Sequence, residues 1–241
     1  MNFRVIIPAR YASTRFPGKA LAELAGKPMV VHVCERAAKS GATAVHVATD
    51  DERIARAVEQ AGFAAVMTSP RHASGTDRIA EAAKKLGFKA ADIVVNVQGD
   101  EPLISPRLIR DVGTLLRKRR DAAVATACHP IHDSAAAASP NVVKVVLDAK
   151  GYALCFSRSQ IPYPREAGAA WLRHAGIYGY RVGFLKTFAR LKPSPLEKAE
   201  ALEQLRALWH GYRIAVAVSK AEIPPGVDTP QDLEAVRRIL A

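Results

Sequence analysis

Three cations, Arg10, Arg15 and Lys19, fall within ten residues in the segment Pro8-Ala9-Arg10-Tyr11-Ala12-Ser13-Thr14-Arg15-Phe16-Pro17-Gly18-Lys19. Arginine offers forked donors, lysine a compact charge, and glycine lets the backbone come close, so such a loop can wrap a polyphosphate. It reads equally as a solvated basic loop. A second group is Val95-Asn96-Val97-Gln98-Gly99-Asp100-Glu101-Pro102. Here an aspartate at a strand end is placed to hold Mg²⁺ against phosphates, or Gly-Asp is a plain turn. In Gly226-Val227-Asp228-Thr229-Pro230, Asp228 is a second candidate ligand or a helix N-cap, and the two are compatible. Ser74-Gly75-Thr76, ahead of a helical pattern, offers N–H groups and hydroxyls to an anion or a base edge, or is an ordinary capping loop.

The elements that must hold these residues follow from periodicity. Apolar runs predict strands at Phe3–Pro8, Ala44–Ala48, Ala64–Met67, Ile93–Val97 and Ala122–Cys128. Helical spacing fills the gaps at Pro28–Ser40, Asp51–Ala61, Thr76–Leu86 and Pro106–Leu116, with Asp50 or Asp51 as a cap and Gly87 as a C-terminal stop. Strands alternating with such helices make an α/β fold with a mostly parallel central sheet and helices on both faces. The pattern changes at Val142–Leu147, Ala153–Ser157 and Ile177–Val182, which read as a small antiparallel insert at about 141–183 within a single domain of residues 1–241. A helix at Leu196–Leu208, a strand at Ile214–Val218 and a helix at Thr229–Leu240 close the chain. In open parallel sheets ligands bind at the carboxyl ends of the strands, where the cationic loop and Asp100 fall.

Composition narrows the function. The 241 residues are 49% hydrophobic with no apolar run long enough to span a bilayer, so a globular cytoplasmic protein is expected. Cys34, Cys128 and Cys155 are far apart in apolar stretches and read as buried structural thiols. The net charge of +12 suits nucleic acid or small anionic substrates. Aromatics are only 6% and none interleave with the run Arg117-Lys118-Arg119-Arg120, which disfavours a base-stacking surface and favours a solvated helix end. Neither a GxxxxGK[ST] loop nor a GxGxxG fingerprint is present.

Taken together the motifs resemble one family. The cationic loop, His72-x-Ser74-Gly75-Thr76, the strand ending in Gln98-Gly99-Asp100-Glu101-Pro102, Asn141-Val142-Val143-Lys144, Phe156-Ser157-Arg158, Arg173-His174-x-Gly176-Ile177-Tyr178, Leu202-Glu203-Gln204 and Gly226-Val227-Asp228-Thr229-Pro230 are similar, in order and spacing, to the CMP-KDO synthetases. These are 3-deoxy-D-manno-octulosonate (KDO) cytidylyltransferases of lipopolysaccharide synthesis, and the likeness covers essentially the whole chain. It implies transfer of CMP from CTP to the anomeric hydroxyl of KDO with release of pyrophosphate, in the cytoplasm, by a homodimer of nucleotide-diphospho-sugar transferase fold that neither binds nucleic acid nor enters a membrane. It implies Mg²⁺ held by Asp100 and Asp228, with Arg15 and Lys19 also catalytic. It assigns Pro8, Ala9, Arg10, Ser13, Arg15, Lys19, Ser74, Gly75, Thr76, Arg78 and Asp100 to the nucleotide, and Gln98, Arg158, His174, Tyr178, Glu203 and Gln204 to the sugar. KDO is an acid, so Arg158 is expected to grip its carboxylate. A sister enzyme acting on sialic acid or 8-amino-KDO would share the nucleotide loop and differ around His174 and Glu203.

Overall fold

The computed structural model describes residues 3–12, 16–72, 74–165, 170–224 and 226–240. The chain opens with β1 (Arg4–Ala9), a hairpin of β2 (Glu23–Leu24) and β3 (Lys27–Pro28), and α1 (Met29–Ala38). It continues through β4 (Val45–Thr49), α2 (Glu52–Gln60), β5 (Ala64–Met67), α3 (Gly75–Lys85), β6 (Ile93–Asn96) and α4 (Pro106–Lys118). Next come β7 (Val124–Ile131), α5 (Ser134–Ala138), β8 (Lys144–Leu147), β9 (Ala153–Ser157), β10 (Trp171–Arg181) and α6 (Val182–Phe188). The last elements are α7 (Pro195–Glu200), α8 (Gln204–Trp209), β11 (Ile214–Val218) and α9 (Pro230–Leu240).

The main sheet runs β11-β7-β10-β6-β1-β4-β5, with β8 paired to β10 and β9 to β8. Neighbours on this path are parallel except at β10, which runs antiparallel to both β6 and β7. Alternation explains burial on both faces: on β1, Val5 and Ile7 enter one core while Ile6 enters the other. The first core packs the sheet against α1, α2 and α4, and the second against α3, α6 and α8. A smaller cluster joins α9 to Leu24 and Met29 through Val227, Leu233 and Val236.

The fold is the mostly parallel α/β class expected, with three local differences. The antiparallel strand begins at Trp171, not Ile177, and lies inside the main sheet rather than beside it. The helix expected at Leu196–Leu208 is two helices, broken where Ala201 adopts a left-handed φ of 50°. Arg206 then folds α8 back onto α7, donating through Nε to Glu197 at 2.8 Å and through its other arm to the same carboxylate. Cys34 and Cys128 are buried, and burial pushes both thiols up to about 12, but Cys155, on β9, is exposed.

Candidate active site

The carboxyl ends of β1 and β6 and the start of α3 enclose a cavity of about 280 Å³. Pro8, Ala9, Arg10, Lys19, Ser74, Gly75, Arg78, Gln98, Asp100 and Asp228 line it, as do Ala20, His72 and Gly99, which the sequence reading did not assign. Of these three, His72 had a signal in the motif around Ser74. The cationic loop is tied at its ends, where the Gly18 N–H donates to the Tyr11 carbonyl at 2.9 Å. Gly18 is required there: its φ is 72°, and a Cβ would come within 3.2 Å of the Tyr11 ring. Arg53 stacks over that ring, its guanidinium carbon 3.5 Å from the centroid. Ser13 and Arg15 lie outside the described residues. The β6 exit is as close-fitting, since a Cβ at Gly99 would lie 3.0 Å from the Pro8 carbonyl oxygen.

Two aspartates far apart in sequence meet here. The Val227 N–H donates to the Asp100 carbonyl at 2.8 Å and brings the start of α9 to the end of β6. Thr229 and Asp232 form the reciprocal cap of α9, Asp232 accepting from the Thr229 N–H at 2.8 Å and Thr229 Oγ1 from the Asp232 N–H at 3.2 Å. The Asp228 carboxylate is therefore not needed as a cap and turns to Lys19. Lys19 Nζ donates to Asp100 at 2.6 Å and to Asp228 at 3.3 Å, offsetting the repulsion between the two carboxylates. A cation at this point has two protein oxygens within reach, which suits Mg²⁺, an ion that takes one or two carboxylates and completes its shell with water and phosphate. Among the described residues there is no cluster of three or more His, Cys, Asp or Glu side chains that could hold a metal.

The polar walls are fixed by their neighbours. Ser74 caps α3 by accepting from the Asp77 N–H at 3.2 Å. Arg78 is buried and held by Asp50 at 2.7 Å and Thr68 at 2.6 Å, so its charge is compensated before any ligand arrives. His72 is hydrogen-bonded through Nε2 to Glu81. Burial pushes the Glu81 carboxyl up, but the Ser69 N–H, Lys85 and His72 outweigh it and bring it down to about 2. Glu101 is pushed up to about 8 by burial and by the charge of Asp100.

Five of the six residues assigned to the sugar divide among three places. Gln98 belongs to the cavity above. Tyr178, Glu203 and Gln204 border a space of about 20 Å³, where the Gln204 Nε2 has no partner. Thr76 does not reach the main cavity; its hydroxyl donates to Glu203 at 2.7 Å and joins α3 to the start of α8. His174 faces a third space, of about 210 Å³, with Glu101, His129, Arg173 and Asp228. The Thr126 hydroxyl donates its proton to the Ile177 carbonyl at 2.7 Å, so His174 Nε2–H donates to Thr126, at 2.9 Å. Burial pushes the His174 imidazole down to about 3. Arg158 lines none of these spaces: it donates to the carbonyls of Glu200 at 2.7 Å and Pro140 at 3.0 Å.

An α/β sheet with fixed cations and two converging carboxylates at its carboxyl edge defines an enzyme that handles nucleotide phosphates. The cytidylyltransferase family model matches residues 4–214. The 3-deoxy-manno-octulosonate cytidylyltransferase of Acidovorax sp. (strain JS42) is 55% identical over 254 residues, covering 99% of this chain and 97% of that protein. Its counterpart from Verminephrobacter eiseniae (strain EF01-2) is 55% identical over 257 residues, covering 99% and 94%. The chain belongs to the cytidylyltransferase family, in its 3-deoxy-manno-octulosonate branch. The solved structure of a CMP:2-keto-3-deoxy-manno-octonic acid synthetase complexed with CTP matches with a TM-score of 0.91 at 48% identity, covering 99% of this chain and 98% of that one. A cytidylyltransferase from Leptospira borgpetersenii serovar Hardjo-bovis (strain JB197) shares the fold, with a TM-score of 0.61 at 16% identity, covering 98% and 85%.

Proposed function

We propose that the protein transfers CMP from CTP to the anomeric hydroxyl of KDO, giving CMP-KDO and pyrophosphate and activating the sugar for lipopolysaccharide synthesis. The observation that carries the reading is the convergence of Asp100, Asp228 and Lys19 inside the cavity of the cationic loop. The 55% identity to relatives of that name over nearly the full chain supports it. The enzyme acts as a cytoplasmic homodimer, a single domain whose segment at about 141–183 serves the sugar and the dimer. Among the described residues no helix is long and apolar enough to cross a membrane.

The chain's own residues account for most of the chemistry. Arg10, Arg15 and Lys19 bind the triphosphate, and the Ser74-Gly75 start of α3 and the fixed Arg78 hold the nucleotide. An ammonium has three donors; Lys19 uses two on Asp100 and Asp228 and keeps one for a phosphate oxygen. Asp100 and Asp228 hold Mg²⁺, which when bound supplies positive charge that polarises the α-phosphoryl group. The anomeric oxygen attacks in line opposite the pyrophosphate, and Arg15 and Lys19 neutralise the charge that leaves. Positioning and fixed electrostatics carry the rate, and no covalent protein nucleophile is needed.

The test is pyrophosphate release from CTP with Mg²⁺, comparing KDO, 8-amino-KDO, N-acetylneuraminate and no acceptor. Release with KDO alone, abolished by EDTA and restored by Mg²⁺, is expected. Release with N-acetylneuraminate in place of KDO would reassign the acceptor.

A further inference from the structure

Thr76 sits on the first turn of α3, next to the Ser74-Gly75 pair that lines the nucleotide cavity, and the family resemblance assigns all three to the nucleotide. The fold turns the threonine elsewhere. Thr76 is 5% exposed and does not line that cavity, and its hydroxyl donates to Glu203 Oε2 at 2.7 Å across 127 residues of sequence. A threonine inside a helix can return its hydroxyl proton to a carbonyl one turn earlier. So close to the start of α3 there is no helical carbonyl behind it, and the donor is available to a distant partner.

Glu203 receives that hydroxyl with one oxygen and keeps the other open. The residue stands at the N-cap position of α8, yet its carboxylate accepts no N–H from the first turn. Arg206, one turn further on, is committed to Glu197 and reaches Glu203 Oε1 only at 3.9 Å, too far for a hydrogen bond. Oε2 is therefore fixed by Thr76, while Oε1 makes no hydrogen bond among the described residues. Gln204 borders the same space, is 8% exposed, and carries an Nε2 without a partner. A free carboxylate oxygen accepts and a free amide N–H donates, and a sugar hydroxyl can satisfy both. Without Thr76 the Glu203 carboxylate is free to turn to Arg206, and pairing there would withdraw it from a ligand.

We propose that Thr76 is a positioning residue for the sugar: its hydroxyl holds Glu203 Oε2 so that Oε1 is presented to a sugar hydroxyl beside Gln204. The inference rests on the functional reading above, with the sugar at the edge formed by β10 and α8, and it moves Thr76 from the nucleotide to the sugar. Because α3 also supplies Gly75 to the nucleotide cavity, the first turn of one helix then serves both substrates.

The experiment measures kcat and KM for KDO at saturating CTP, and CTP affinity by calorimetry without a sugar. It compares the wild type, Thr76→Val, Thr76→Ser, Glu203→Ala and the Thr76→Val/Glu203→Ala double variant, each checked for folding by circular dichroism. Valine keeps the shape and removes the donor, whereas serine keeps the donor. Thr76→Val should raise the KDO KM roughly ten- to a hundredfold, as loss of a hydrogen bond to a charged group does, and leave CTP affinity within about twofold. Thr76→Ser should restore most of the KM. In the Glu203→Ala background Thr76→Val should change the KDO KM by less than about twofold, because the group it holds is gone. An unchanged KDO KM in folded Thr76→Val overturns the inference. A loss of CTP affinity as large as the loss for KDO, or no rescue by serine, overturns it as well. If Thr76→Val does not fold, Thr76→Ala is read in the same way, and failure of both to fold overturns the inference in favour of a purely structural contact. Failure of the wild type to use KDO at all would instead overturn the functional reading and this inference with it.

Discussion

Lys19 stands between two carboxylates that would otherwise repel each other, and that single contact organises the site. The same pair is where Mg²⁺ would be held, so Asp100→Asn removes a charge the reaction needs while keeping the shape. Turnover should fall roughly a hundred- to a thousandfold, as when one electrostatic stabiliser of a transition state is lost. Pyrophosphate release from a folded variant measures it, and near-normal turnover would sink the metal assignment. His174 offers a second test at this scale. It is held neutral in the folded protein, at about 3, and titrates near 6.5 when unfolded. Between those values the unfolded chain binds the extra proton, so stability is lost as pH falls through that window. His174→Gln should flatten the loss on going from pH 7 to pH 4 by on the order of 2 kcal/mol, read from urea midpoints at the two pH values.

Among the elements, α4 packs against β6, β7, β10 and β11 and so supports the sheet whose edge carries the site. Gly113 is a helix-interior residue on α4 where alanine would ordinarily be preferred by about 1 kcal/mol. Here the Phe3 ring packs onto it, and a Cβ would lie 2.7 Å from the ring carbon Cγ. Gly113→Ala should therefore destabilise by roughly 1–3 kcal/mol through overpacking, lowering Tm by several degrees in thermal unfolding. An unchanged or higher Tm would mean that Phe3 yields freely. The antiparallel β10 has a different effect. Side-chain alternation along it serves both faces of the sheet, as on β1, and continues unbroken across the register shift between Ala175 and Tyr178. Arg173 and Ala175 go with the side packed on α4, and Tyr178 and Tyr180 with the side packed on α6 and α8.

For the whole molecule, the excess of 12 positive charges has a use beyond solubility. A cationic enzyme attracts a triphosphate and an acidic sugar alike, and the attraction weakens with salt. CTP bound only by the folded state should stabilise it; at about a hundred times its Kd the gain is about 2.7 kcal/mol, or several degrees in Tm. Thermal shift with CTP against UTP at equal concentration checks this, with CTP expected to give the larger rise. No rise with CTP and Mg²⁺ would remove the nucleotide from the cavity between β1, α3 and β6.

Much of this architecture is already a property of neighbouring residues. The apolar runs of β1, β4, β5 and β6, the Asp51 and Ser74 caps and the stop at Gly87 are local signals, and the strands they mark hold the nucleotide motifs at one edge. Ala201 shows the limit of periodicity: the apolar spacing runs through it, but the backbone turns left-handed there and α8 is clamped back by Arg206. Partners distant in the chain were decided only by folding. Lys19 and Asp228 are 209 residues apart, and Thr76 and Glu203 are 127 apart. Those contacts depend on the order in which strands pair and on which carbonyls remain for side chains to satisfy. The same closure committed Arg158 to Glu200 and Pro140 and set Arg173 beside His129. Sequence by itself therefore determined the class of fold and the kind of chemistry at its edge. The tertiary structure decided which cation faces which cavity, because burial and hydrogen-bond competition are settled only when all the strands are in place.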